Sequence, residues 1–541
     1  MQTPFGDLDP RRSARMSMAE IDDALKRPVS RRALGKGALL AGAASPLLWV
    51  KPGYAAVPPA GTHLTFGADP STEVVVSWST EGAVKSPSLQ YGTSKAYGTN
   101  IAVETRTVRG STAIYHHARL TRLLPGTTYH YRLTHAGGST PDRTFRTAST
   151  DPKRAFRFTA FGDQGVNANA AATAARIAAV MPAFHVHAGD LCYANSTGMG
   201  GENQSYDATA WDRWMTQNLV VSTQGIPWMP TVGNHEMEPG LGPQGYDGFL
   251  GRFVLPRNGA PGALNTWWFR YGNVAVVGLD GNDASYEIAH NQGWLGARQD
   301  TWLRQTLTTL RKDKRVDFVV VAFHNCMYCS NAVHASDGGV RSRWEPIFDE
   351  FAVDLVVNGH NHSYERTHPL KGGQVSAVVP SGGTVTPATH GTTYITAGGG
   401  GQSGYPVNLS PASYVVAEDG TKVPELATWS AVSTEDYNVM VADVTPLTAD
   451  RTATMRLRTV KPDGTLIDEV TLVRPARAGL QKPPTTAPVR GTTPAVAAPP
   501  GAPPPRSGER LAATGGQSTL AAAGAAAVAT AAAVRAVGAR T

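Results

Sequence analysis

The chain has 541 residues, enough for two or more domains with separate cores. It is 41% hydrophobic and 17% charged, with a formal net charge of +7, which is the balance of a soluble globular protein. No basic stripe is interleaved with aromatics, so nucleic acid is not the expected partner; the mild positive excess suits an anionic substrate or plain solubility.

The chain opens on an address rather than a fold. In "SRRALGKGALLAGAASPLLWVKPGYAA", Ser30-Arg31-Arg32 precede an apolar stretch at 37–50 that is too short to span a bilayer comfortably, and small residues follow at Ala55 and Ala56. Residues 1–56 thus resemble a twin-arginine export signal, with an ordinary secretory signal as the alternative; both place the mature protein outside the cytoplasm. Residues 57–150 read as short strands between turns. "EVVVSWST" alternates, and "HHARLTRLLPGTTYHYRLTH" holds a strand, a Pro-Gly turn and a second strand. A small all-β sandwich is expected, with "LLPGTTYHYRL" resembling fibronectin type III-like domains.

From 155 the character changes. Short apolar runs alternate with helical stretches such as "NANAAATAARIAAVM" and "GWLGARQDTWLRQTLTTLRK", and the segment 437–473 reads as terminal strands. This predicts a layered α/β domain over 155–475. Residues 476–510 are rich in Pro, Ala, Gly and Thr and predict an extended linker. At 511–541, Leu511-Ala512-Ala513-Thr514-Gly515 resembles an LAxTG-type sortase sorting motif, followed by an Ala-rich apolar segment and a tail with Arg535 and Arg540. Cleavage after Thr514 would join the chain to a cell wall; a disordered tail or a weak membrane anchor is the alternative.

The chemistry lies in the α/β domain. "FRFTAF" ends in Gly162-Asp163-Gln164-Gly165, "AFHVHA" in Gly189-Asp190-Leu191-Cys192-Tyr193, and "PWMPTV" in Gly233-Asn234-His235-Glu236. "VDFVVVAF" ends in His324, and "VDLVVN" in Gly359-His360-Asn361-His362. Five apolar runs therefore each stop at a potential metal ligand, with glycine before it in four. Sites in α/β sheets form beyond the carboxyl ends of the strands, and glycine lets the backbone turn tightly there. A single Gly-Asp is ordinarily a turn and a single buried His a core residue. Asp163, Asp190, Tyr193, Asn234, His324, His360 and His362 at five successive strand ends predict one cluster. Residues i and i+2 of an extended segment share a face, so His360 and His362 are expected to serve it together, one for each of two metals. Three cysteines, Cys192, Cys326 and Cys329, cannot make a disulfide framework. Cys326-x-x-Cys329 lacks the second pair of a zinc ribbon, leaving a local disulfide or two free thiols as the main readings.

These motifs together are similar to those of the binuclear metallophosphoesterases, and most closely to the purple acid phosphatases: GDxG, GDxxY, GNHE, a His after an apolar strand, and GHxHxYER. Tyr193 and the "SYER" after His362 carry the closer likeness. The resemblance implies a layered metallophosphoesterase sandwich flanked by helices, preceded by the fibronectin-like domain. It implies that Asp190 bridges two metals, that Asp163, Tyr193 and His362 complete an Fe(III) site, and that Asn234, His324 and His360 complete a site for divalent Zn, Fe or Mn. It further implies hydrolysis of phosphate monoesters by a metal-activated hydroxide. His235 would contact a phosphoryl oxygen or the leaving group, and His334 would be the general acid. The expectation is an exported acid phosphatase, displayed at the cell surface through Thr514 or secreted. The alternatives are a phosphodiesterase on the same metal core and, in another class, a wall-displayed binding or adhesion protein.

Overall fold

Alternation along Thr128–His135 turns Tyr129, Tyr131 and Leu133 inward, and Val74, Val76 and Trp78 meet them from Val74–Glu81. Two antiparallel sheets result. One runs Ala60–Phe66, Val74–Glu81, Ala113–Leu120, Glu104–Thr107; the other runs Thr99–Ala102, Ser88–Gly92, Thr128–His135, with Gly138–Ser139 and Arg143–Arg146 also on the last strand. The computed structural model describes residues 58–475 except 137, 202–205, 220–224, 332, 408–412 and 448–451. The export-signal, linker and sorting-motif readings at 1–56, 476–510 and 511–541 fall outside the described residues.

The first sheet has a second buried face. His63 Nε2 donates to Arg252 O at 3.0 Å, Thr65 Oγ1 to Val254 O at 2.6 Å, and His117 Nε2 to Gly251 O at 3.1 Å. Polar side chains on this face thus satisfy carbonyls at the end of the helix Asp247–Arg252, which would otherwise be orphaned on burial. Phe66 also inserts between Phe184 and Phe269, with ring centroids 6.0 and 5.4 Å away, so one apolar core runs from the β-sandwich into the α/β part.

The α/β part has two seven-stranded mixed sheets. The first has the order Trp228–Pro230, Phe184–His187, Phe156–Phe161, Val439–Thr445, Thr452–Val460, Leu466–Pro475, Gly383–Val385. The second has the order Trp267–Tyr271, Val274–Gly278, Phe318–Ala322, Leu355–Asn358, Thr393–Ala397, Tyr364–Thr367, Ser430–Thr434. Strands such as FVVVA and VAVVG are buried throughout, as parallel strands covered on both faces must be. The carboxyl ends of the two sheets meet where the Gly162 N–H donates to Ala397 O at 2.9 Å.

Helices Arg298–Lys312 and Val340–Glu350 cover the outer face of the second sheet with Trp302, Leu303, Leu307, Trp344 and Phe348. The helix read from residue 293 starts at Arg298, because Gly293 and Gly296 take left-handed φ of 72° and 55° and hold the preceding residues in turns. Helix Ala168–Val180 starts where Asn167 Oδ1 accepts from the Asn169 and Ala170 N–H groups, both at 2.9 Å. It ends at Met181, whose φ is 47°.

Candidate metal centre

The five strand ends converge, and the backbone there is bent to make them do so. Asp163, Asp190, Tyr193 and His360 have φ of 61°, 56°, 59° and 68°, four of the nine non-glycine positive values among the described residues. Side-chain-bearing residues reach this region only where the surrounding structure holds them, and such strain gathers at functional sites. The glycines before the ligands permit close approach. A Cβ on Gly189 would lie 2.7 Å from Gly233 N and 2.8 Å from His324 Cβ, and one on Gly359 would lie 2.5 Å from Asp163 Oδ2.

The hydrogen bonds fix which atoms face inward. His324 Nδ1 donates to Ala188 O at 2.8 Å, so Nε2 presents a lone pair, 2.9 Å from Asn234 Oδ1 and 3.2 Å from Asp190 Oδ2. Asn234 Nδ2 donates to Gly198 O at 3.1 Å, which turns its oxygen inward. His360 Nδ1 is 3.1 Å from that oxygen and 3.2 Å from His324 Nε2. On the other side, His362 Nδ1 donates to Ser403 O at 2.9 Å, leaving Nε2 3.0 Å from Tyr193 Oη and 3.6 Å from Asp163 Oδ1. Ligand atoms of Asp163, Asp190 and His324 lie within 4.8 Å of one another and link the two groups.

On the His324 side, Nε2 of His324, Oδ1 of Asn234 and Oδ2 of Asp190 are acceptors facing acceptors in a buried site, which is repulsive unless a cation lies among them; on the other side the Tyr193 hydroxyl is a donor, between His362 Nε2 and Asp163 Oδ1. The titration shifts carry the same signature. Burial and then the Asp190 charge push Asp163 well above the usual carboxylate range. Burial raises Asp190 too, but His324 and His235 outweigh it and hold it below its ordinary value. Burial, followed by Asp163 and Asp190, pushes the Tyr193 phenol well up, so its ionisation needs nearby positive charge. The seven residues fit a metal pair: hard anionic oxygens on the Tyr193 side, imidazoles and an amide oxygen on the other.

The remaining histidines flank this cluster. The His235 backbone N–H donates to Asp190 Oδ1 at 2.9 Å, its Nδ1 donates to Asn195 O, and its ring lies 4.2 Å from that of Tyr193. His334 lies with its ring 4.0 Å from His360 and 5.7 Å from Tyr405. Burial, then the His360 charge, pushes His334 down to about 3.

Several supporting residues had no role assigned from sequence. Glu236 is fully buried and accepts from Asp190 N and Leu191 N, both at 2.8 Å, and Gly233 N at 2.7 Å, so one carboxylate ties two ligand loops. Burial and the Asp190 charge push it up to about 8, while the three N–H donors pull the other way. The last residues of the GHxHxYER block are scaffolding. Tyr364 Oη and Arg366 Nε donate to Asp468 Oδ2 at 2.8 and 2.5 Å, and Glu365 Oε2 accepts from Ser330 N and Oγ at 2.7 and 3.0 Å. Tyr405 stacks on His362 at 4.0 Å. All three cysteines are free, buried thiols; Cys326 Sγ donates to Gly359 O at 2.8 Å.

This fold, with this donor set at its strand ends, defines a metallophosphoesterase. The family profile of the calcineurin-like phosphoesterases matches residues 156–364, and that of the purple acid phosphatase N-terminal domain matches 59–147. An uncharacterized protein of Mycobacterium tuberculosis is 33% identical over 486 residues, covering 80% of this chain and 90% of its own. A phosphoenolpyruvate phosphatase of Allium cepa is 28% identical over 356 residues, covering 63% and 70%. A purple acid phosphatase from yellow lupin (Lupinus luteus) seeds superposes with a TM-score of 0.61 at 19% identity, covering 77% of this chain and 75% of that one. The chain belongs to the purple acid phosphatase family, and it is a metal-dependent phosphatase.

Proposed function

We propose that the protein is an exported acid phosphatase that hydrolyses phosphate monoesters at a two-metal centre. The observation that carries this reading is the convergence of seven candidate ligands, from five strand ends, into one buried cluster. Asp163, Tyr193 and His362 would hold Fe(III), Asn234, His324 and His360 a divalent Zn, Fe or Mn, and Asp190 both. When bound, such a pair supplies positive charge to a phosphoryl group and lowers the pKa of water.

The chain's own residues do the rest. His324 and His362 donate from Nδ1 to Ala188 O and Ser403 O, which fixes the tautomer and points both Nε2 atoms at the cluster. His235, with Nδ1–H held by Asn195 O, turns Nε2 toward the cluster, 3.8 Å from Asp190 Oδ2; a phosphoryl dianion beside it favours the doubly protonated ring, which donates from Nε2 to a phosphoryl oxygen and orients it. His334 gives its proton to the leaving oxygen; a phosphoryl dianion beside it raises its affinity for that proton. Purified protein should release inorganic phosphate from an aryl monoester faster than it cleaves the matching diester, and a chelator should abolish both. Faster diester cleavage would make it a phosphodiesterase instead.

Export through the twin-arginine-like leader, with wall attachment at Thr514, is part of the same proposal. Wall-digesting enzyme should release phosphatase from cells carrying the wild-type protein and not from cells carrying Thr514→Ala. Identical fractionation of the two would overturn the attachment.

A further inference from the structure

Five strand ends carry the ligands, and the structure adds a sixth. Strand Val274–Gly278 runs parallel to Phe318–Ala322, pairing Gly278 with Ala322, and that strand runs parallel to Leu355–Asn358, pairing Ala322 with Val357. The loop after Gly278 therefore leaves the sheet at the same edge as His324 and His360. It is held firmly. Asp280 accepts from Asn265 Nδ2 at 2.9 Å and Trp294 Nε1 at 3.0 Å, Asn282 Nδ2 donates to Gly233 O at 2.9 Å, and Tyr286 N donates to Gly338 O at 2.6 Å. The next residue, Glu287, is delivered to the far side of His360.

Its carboxylate meets two things there. Oε2 lies 3.6 Å from His360 Nε2, the ring nitrogen opposite the one that faces the cluster, and Oε1 accepts the Ala335 N–H at 3.0 Å. His360 Nε2 is buried without a hydrogen-bond partner. If Nδ1 is to offer a lone pair inward, Nε2 must carry the proton, and this buried N–H needs an acceptor. Glu287 is the carboxylate in reach. Through Ala335 the same side chain tethers the loop that carries His334, whose Nδ1 lies 4.0 Å from Oε1.

We propose that Glu287 is a positioning residue: it fixes the tautomer and direction of His360 and, through Ala335, the placement of His334. This rests on the metal-centre reading above. Carboxylates behind ligating imidazoles commonly change metal affinity by about 10–100-fold. Here one carboxylate would set both a ligand and the group that protonates the leaving oxygen.

The test uses the full chain as purified, with metal content measured by elemental analysis after dialysis against a graded chelator series. Wild type should hold two metals. Glu287→Ala should lose one of them at about 10–100-fold lower chelator and keep the other. Glu287→Gln, whose amide oxygen can take the Oε2 place and accept from Nε2–H, should fall within about 10-fold of wild type. Glu287→Asp keeps the charge but is one methylene short, and should lose metal more readily than Gln. With divalent metal in excess, the Ala variant should recover KM but not kcat, since the His334 loop has lost its tether. If the Ala variant does not fold, the ranking of Gln above Asp carries the test. Identical chelator curves for Ala and wild type would overturn the proposal. So would Asp ranking above Gln, because charge rather than the hydrogen bond would then be what matters. A wild-type protein that holds no metal would overturn both this proposal and the reading beneath it, whereas two metals in wild type with no effect at Glu287 would overturn this one alone.

Discussion

Removing the Glu236 side chain should loosen the metal centre from behind. Its two oxygens accept three backbone N–H groups, from Asp190, Leu191 and Gly233, with no exposure to water. In Glu236→Ala all three donors lose their partner. An unsatisfied buried donor costs about 1–3 kcal/mol, so the loss should be about 3–9 kcal/mol, against a typical total of about 5–15. Glu236→Gln is milder. Its amide oxygen, placed where Oε2 was, keeps the Asp190 and Gly233 bonds, and only Leu191 N–H then faces a donor, for about 1–3 kcal/mol. Because the bonds fix Asp190 and the loop leading to Asn234, metal retention should fall in the same order. Denaturant unfolding of the metal-free proteins and elemental analysis of the loaded ones measure the two effects. An Ala variant within about 1 kcal/mol of wild type, or a Gln variant worse than Ala, would refute the reasoning.

Three further outcomes follow from the geometry. Tyr193→Phe should remove the visible absorption of an iron-loaded protein while leaving it folded; an unchanged spectrum would place the iron elsewhere. His334→Ala should keep both metals and lose roughly 10²-fold in turnover on alkyl phosphates, and less on aryl phosphates, whose leaving groups need no proton. Equal losses would argue against proton donation. In the β-sandwich, His117 is buried between Ser77 Oγ at 2.8 Å and Gly251 O at 3.1 Å, and burial, aided by Arg106, pushes it down to about 3. As pH falls below about 6.5 the unfolded chain takes up a proton that the folded one refuses, so stability is lost down to about pH 3, by about 1.4 kcal/mol per unit. His117→Gln should flatten the pH dependence of thermal unfolding between pH 6.5 and 4.5; an unchanged slope would mean that His117 is protonated in the fold.

The residues that cluster were legible in sequence because each ends a short apolar run and most follow a glycine. That local signature survives without knowledge of the tertiary fold. The layered α/β class followed from the alternation of runs and helices. Glu287 carried no such signature: it lies nine residues beyond Gly278 in a loop without a motif, and only the parallel pairing of three strands brings it to His360. Glu236 stood inside the GNHE block, yet its role depends on backbone donors 45 and 46 residues away as well as on Gly233. In the "YER" that marked the family, Tyr364 and Arg366 work through Asp468, more than 100 residues on, and Glu365 through Ser330, 35 residues back. The pairing of cysteines was open in sequence because spacing alone allows either state; in the fold Cys326 is spent on Gly359 O beside His360.

Asp190 tests the central claim most directly, since its carboxylate oxygen lies 3.2 Å from His324 Nε2 and the ligand atoms of Asp190, His324 and Asp163 are all within 4.8 Å of one another. The decisive measurement is metal content per chain, wild type beside Asp190→Ala, with release of phosphate from an aryl monoester followed on the same samples. Two metals and activity in wild type, with neither in the variant, is the expected result. A full complement of metal in Asp190→Ala, or an active wild type free of metal, would contradict the account.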